Sequence, residues 1–210
     1  MLEAAGVDKL SCVGIMKCMA TTLASTSLAP AGTVVEWGQL SWTSDMDPAD
    51  RQAAENEGIR TILTSGRGFL IETHAGTVSW AGIGAGPDTN QGPSSQQLLQ
   101  MQGGIQVGCA TQYSTLVRTN NNNILIWGST GHGNSMPSST RTALEQQGMD
   151  KCWATAVHYL VLSSTGQLFE WGCENYIGRL AVIPTDVETM LETEGVAKVF
   201  SRAHPFFLVI

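Results

Sequence analysis

Charge is what this chain has least of. Only 14% of its 210 residues are charged, against about a quarter in an ordinary soluble domain. Lys and Arg number 11 and Asp and Glu 18, a net charge of -7. So few cations cannot displace the counterions of a phosphate backbone, so no nucleic-acid partner is expected. An acidic surface could favour a basic partner, and solubility explains it equally well. No apolar run approaches the roughly 18 residues of a membrane span, so no membrane partner is expected either. The five cysteines, Cys12, Cys18, Cys109, Cys152 and Cys173, are odd in number and include no CxxC pair. That is a poor disulfide framework and a poor zinc site. They read as buried free thiols in a reducing compartment, the cytoplasm, with the nucleus as the alternative. The apolar stretch SCVGIM near the N-terminus follows Glu3 and Asp8 and is cut short by Lys17, a pattern unlike a secretory signal.

Glycine, by contrast, is abundant, at 23 residues. Few charges and many glycines suit short strands joined by tight turns. One short motif also recurs. GTVVEWG begins at Gly32, GTVSWAG at Gly76, NNILIWG at Asn122 and GQLFEWG at Gly166, and their tryptophans are Trp37, Trp80, Trp127 and Trp171. The steps are 43, 47 and 44 residues. A near-constant period of this size marks a repeat architecture. The tryptophans, with Gly38, Gly128 and Gly172 beside three of them, are read as the core of each copy.

The copies extend beyond the tryptophan. Pro48, Pro93, Pro137 and Pro184 are each followed ten or eleven residues later by a glycine, at Gly58, Gly104, Gly148 and Gly195. Each interval predicts a short helix. Proline suits the first turn, Ser, Thr or Asp can cap it, and glycine ends it. Leu99, Leu144 and Leu191 are the expected apolar contacts near the exits. After each glycine an apolar run reads as strand, tight turn, strand, and then the turn into the Trp strand. The first copy fits with an insertion of about eight residues around KCMATTLA. One unit is therefore helix, strand, strand, Trp strand and loop. Such a unit is marginal alone and must stack on its neighbours. The expected fold is all-β with short inter-blade helices. It is a partial β-propeller of about four and a half blades of a seven-blade-type ring. The units are 1–47, 48–92, 93–136, 137–183 and the half unit 184–210.

The pattern resembles the repeats of the regulator of chromosome condensation family. EWGCENYIGRL, from Glu170 to Leu180, carries Trp171, Gly172, Asn175, Gly178 and Leu180 in the order those repeats show. His158 stands where family members commonly carry a histidine, and Gly68 and Ser114 replace it in other copies. The intervening helices are similar to those of a bacterial β-lactamase-inhibitory propeller. The resemblance implies seven blades, so the chain reads as part of a longer one. It also implies two alternative functions: guanine-nucleotide exchange on a small GTPase, or inhibition of an enzyme.

The chain lacks an assembled catalytic set. GIGAG at Gly82 to Gly86 has the wrong spacing for a dinucleotide loop, and GSTGHG lacks the lysine of a phosphate loop. His74, His132, His158 and His204 come from different units without ligand spacing, and no GxSxG elbow occurs. No cofactor, metal or catalytic residue is expected. The candidates for partner binding are Trp42 beside Asp45 and Asp47, Tyr176 in the last loop, and Arg67, Tyr113, His158 and His204 near the strand turns. The expected function is a non-catalytic protein-binding scaffold. An open arc would also leave sheet edges through which a second copy could pair.

Overall fold

The computed structural model describes residues 7–13, 17–22, 34–38, 46–65, 68–82, 93, 95–101, 103–129, 135–172, 184–196, 199–201 and 207–209; before residue 46 it describes one side chain, that of Val34. The fold is mostly β, with four short helices among the described residues, and it is a partial propeller. Among the described residues it forms four three-stranded antiparallel sheets and one two-stranded sheet, each in simple sequence order. It divides into two compact units, Met1–Ile105 and Gln106–Ile210.

In the first unit, β1 (Val7–Val13), β2 (Lys17–Thr22) and β3 (Val34–Gly38) form one blade. Helix α1 (Pro48–Glu57) leads to β4 (Ile59–Ser65), β5 (Gly68–Thr73) and β6 (Val78–Gly82), the second blade. Helix α2 (Ser95–Met101) follows. The first strands β1 and β4 lie beside each other. Lys17–Thr22, expected within an insertion, is instead the middle strand of the first blade, paired on both sides. The additional length lies in residues 23–33, where the second blade has only 74–77.

The second unit repeats the plan. Strands β7 (Ile105–Ala110, whose first residue closes the first unit), β8 (Ser114–Thr119) and β9 (Ile124–Gly128) precede α3 (Ser138–Gln147). Strands β10 (Met149–Ala154), β11 (His158–Ser163) and β12 (Leu168–Gly172) precede α4 (Thr185–Glu194). The two-stranded sheet is β13 (Val199–Ser201) with β14 (Phe207–Val209), and β13 lies beside β10.

The same local chemistry builds each copy. The glycines ending α1, α3 and α4 have φ of 72°, 81° and 85°, where only glycine sits without strain, and their N–H groups donate to Ala54, Leu144 and Leu191. Asp47 caps α1 by accepting from the Ala49 N–H at 2.8 Å, whereas α3 and α4 begin after a proline without a side-chain cap. The turn from middle strand to Trp strand has one left-handed residue, filled by Gly76, Asn122 and Gly166. Thr73, Thr119 and Ser163 open that turn, and each hydroxyl accepts the N–H four residues on at 3.0–3.2 Å.

Each Trp strand would leave an unpaired edge. Helix side chains take up its first residue. The Arg51 guanidinium donates to the Val34 carbonyl at 3.0 Å and Arg141 to that of Ile124 at 2.7 Å. Glu55 accepts the Val34 N–H at 3.1 Å and Glu192 the Leu168 N–H at 3.0 Å. The helices thus cap sheet edges as well as linking blades.

One helix departs from expectation. Leu144 and Leu191 are buried, but Leu99 is 72% exposed and Met101 is buried in its place. The α2 exit ends in two glycines and closes with a tighter bond, from the Gly104 N–H to the Met101 carbonyl at 3.0 Å. Leu99 stands five residues before Gly104, whereas Leu144 and Leu191 stand four before their glycines, and that offset of one position turns it outward.

Candidate protein-binding surfaces

The middle strands form the frame. Every residue of β5 and β11 is buried, as is all of β8 except Arg118. Trp127 and Trp171 are buried and occupy one register position, opposite Thr115 and Tyr159. Trp37 has the same register, opposite Cys18. Trp80 does not. It pairs with Leu70, and Ala81 takes the place opposite Phe69. A shift of one residue moves a strand side chain to the other face. Trp80 is still buried, so it remains a core residue on the opposite face.

Gly38, Gly128 and Gly172 stand opposite Lys17, Ser114 and His158. A Cβ on Gly172 would lie 2.3 Å from the His158 ring, and one on Gly128 2.2 Å from the Tyr113 carbonyl. A side chain there would push the hairpin apart.

His158 was a candidate for partner binding, and its position corrects that role. It is 1% exposed, so its ring cannot reach a partner without opening the hairpin. Among the described residues neither ring nitrogen has a hydrogen-bond partner. Burial holds its pKa below the ordinary 6.5, so the neutral imidazole is favoured. Beside it, the Tyr159 hydroxyl bonds Ser114 Oγ at 2.8 Å, and Ser114 Oγ bonds Thr111 Oγ1 at 2.8 Å. Burial raises the Tyr159 pKa, and those hydrogen bonds lower it in part. The Tyr159 and Trp171 rings stack with centroids 5.1 Å apart. This chain of hydroxyls ties two successive blades together and is closed to solvent.

Of the other candidates, Tyr113 is half-buried in the β7–β8 turn. The preceding Gln112 N–H donates across to the Ala156 carbonyl of the next blade's turn at 2.9 Å. Trp42, Arg67, Tyr176 and His204 lie outside the described residues.

Three of the first strands share a pattern that sequence reading missed. Strands β4, β7 and β10 each begin with a buried apolar residue, Ile59, Ile105 or Met149, followed by an exposed polar one, Arg60, Gln106 or Asp150. One position is thus basic, neutral and acidic in successive copies, on an unchanged backbone plan. The signal in the sequence was the residue two after each helix-ending glycine. Arg60 also bridges Glu72 at 3.2 Å.

The thiol expectation is corrected for two cysteines. Cys109 on β7 and Cys152 on β10 form a disulfide, with their Cα atoms 5.8 Å apart. Their separation of 43 residues is close to one repeat, so the bond joins the first strands of two successive blades.

Among the described residues, no group of three or more His, Cys, Asp or Glu could hold a metal ion. Searched over the same residues, no helix is long and apolar enough to cross a membrane.

No protein-family model matches the chain, and no curated protein matches it. Solved structures do. The entire ectodomain of the receptor kinase CR4 from Physcomitrella patens matches with a TM-score of 0.55 and 16% identity, over 93% of this chain and 45% of that one. The CRINKLY WD40 ectodomain of the Arabidopsis thaliana receptor kinase ACR4 matches with a TM-score of 0.51 and 14% identity, over 85% and 52%. Human WBSCR16 matches with a TM-score of 0.50 and 13% identity, over 98% and 54%. The chain spans about half the length of these structures. At such identities the likeness is one of fold, and the fold is that of a propeller.

Proposed function

We propose that this chain is a non-catalytic protein-binding scaffold, built of repeats like those of the regulator of chromosome condensation family. The observation that carries the reading is the pairing of a fixed frame with a varied display. Ile59, Ile105 and Met149 are buried anchors at one position, while their exposed neighbours Arg60, Gln106 and Asp150 differ in charge. Repeat scaffolds recognise proteins in this way, because the backbone is already ordered and little entropy is lost on binding. Side chains that differ at equivalent places then set which partner fits.

The test uses the chain in its natural source. Partners are captured by chemical cross-linking and purified, and their affinities are measured for the wild type and for Gln106→Glu and Asp150→Arg. A purified partner should bind the wild type, and at least one of these charge changes should alter its affinity about tenfold while thermal stability stays the same. Retained affinity in both variants would remove this surface from the reading. A turnover abolished by replacing one polar residue would remove the non-catalytic reading altogether.

A further inference from the structure

The joint between the third and fourth blades is held at several levels. At the turn end, the Gln112 N–H donates to the Ala156 carbonyl at 2.9 Å. Next to it, at the start of β8, Ser114 Oγ meets the Tyr159 hydroxyl at 2.8 Å. At the far end, the Arg118 guanidinium donates to the Met149 carbonyl at 3.1 Å. Beneath these lies an apolar cluster including Leu116, Ile124, Leu144, Met149 and Trp171. All of these contacts are non-covalent. The Cys109–Cys152 bond is of a different kind, since it links β7 and β10 directly.

We infer that the Cys109–Cys152 disulfide is a redox-reversible staple that fixes the two first strands, β7 and β10, against each other. Three observations carry this. The cysteines come from different blades, so the bond crosses a joint and does not merely brace one hairpin. Both are half-buried, not sealed in the core, so a small thiol can reach the bond. The buried members of the apolar cluster come from the middle strand, the Trp strand, the helix and the start of β10, and the two cysteines pack against them from the first strands, so the joint keeps apolar contacts when the bond is cut. Reduction should therefore loosen the first strands and leave the blades folded.

The chemistry balances with a thiol of the glutathione class. Its thiolate attacks one sulfur, the S–S bond breaks, and the other cysteine leaves as a thiolate. A second thiol attacks the mixed disulfide and releases the oxidised small-molecule disulfide. The protein disulfide gains two electrons and two protons, and two thiols are oxidised. Because Gln106 and Asp150 sit on the stapled strands, an oxidising compartment fixes their spacing and a reducing one relaxes it.

The experiment is a non-reducing digest of the intact chain read by mass spectrometry, followed by thermal unfolding with oxidised or reduced glutathione and with dithiothreitol. The digest should contain a peptide pair joined through Cys109 and Cys152. Reduction should lower Tm by about 5–15 °C, from the loop of about 43 residues that the bond closes. Hydrogen exchange should quicken in β7 and β10 and stay slow in β11. The double variant Cys109→Ser with Cys152→Ser should match the reduced wild type and ignore reductant. Absence of the linked pair would overturn the proposal, as would a Tm indifferent to reductant or an equal response in the double variant. Should that variant fail to fold, the wild-type digest and the two wild-type melting curves still decide.

Discussion

The second and fourth blades solve one packing problem in opposite ways. In the fourth, His158 fills one face of the hairpin, Gly172 opposite leaves it room, and Trp171 fills the other face against Tyr159. In the second, the tryptophan comes one residue earlier in register, at Trp80, and falls on the face that His158 uses. Gly68 then stands where the histidine would be, and a Cβ there would lie 2.9 Å from the Trp80 ring. On the other face, Ala81 lies opposite Phe69, where the fourth blade has Trp171 opposite Tyr159. Bulk has moved from one face to the other and neighbouring positions compensate, as close-packed interiors require. In the second blade the missing histidine goes with a displaced tryptophan, whereas in the third Ser114 replaces it and Trp127 keeps the ordinary register.

The comparison can be broken most forcefully at the rings. Trp171→Ala should cost about 3–5 kcal/mol in denaturant unfolding, the range for truncating a buried Trp. Trp80→Ala should fall in the same range although it empties the opposite face; a cost under about 1 kcal/mol would show that Trp80 is not a core residue.

Next come the glycines. Gly68→Ala and Gly172→Ala should each destabilise by about 1–3 kcal/mol through overpacking. In the first the new Cβ meets the Ala81 carbonyl at 2.4 Å, and in the second the Val157 carbonyl at 2.5 Å. Equal stability of both variants to wild type would mean the hairpins are more open than described.

A smaller effect separates the two blades by pH. His158 has its folded pKa held below 6.5 by burial, while in the unfolded chain it titrates at the ordinary value. The unfolded state therefore binds the proton first, and stability is lost as pH falls from about 6.5 toward the folded pKa. His158→Phe should flatten that part of the stability–pH curve; an unchanged slope would assign it to other groups. Gly68 has nothing to titrate, so the second blade should contribute no such slope from this position.

The smallest effect belongs to the surface. Leu99→Ser should change stability by less than about 0.5 kcal/mol, whereas Leu144→Ala should cost about 2–5 kcal/mol. The check is thermal unfolding of both variants side by side.

Much of this frame was legible in the sequence. The prolines, the helix-ending glycines and the Trp-Gly pairs mark a backbone plan by residues whose conformational demands are unusual, and such demands show locally. Register was written only in a spacing. Trp80 stands four residues after its turn glycine, whereas Trp127 and Trp171 stand five after Asn122 and Gly166, and that one residue puts Trp80 on the opposite face. Leu99 misled for a related reason, since it stands five residues before its glycine where Leu144 and Leu191 stand four before theirs. The disulfide escaped because Cys109 and Cys152 are distant in sequence and lack a motif; their separation of one repeat was the available sign. Glu72 and Arg118 escaped too. They share a register position but have opposite charges, one accepting the Ile105 N–H at 2.9 Å and the other donating to the Met149 carbonyl at 3.1 Å. Both reach the first residue of the following blade by different chemistry, so no single residue type marks the position.

The proposed function depends on a rigid frame carrying varied exposed residues, and native-state hydrogen exchange of the intact chain tests that most directly. The expected result is slow exchange in β5, β8 and β11, with faster exchange at the exposed second residues of β4, β7 and β10. Fast exchange throughout the middle strands would contradict it, because the varied side chains would then have no fixed frame to hold them.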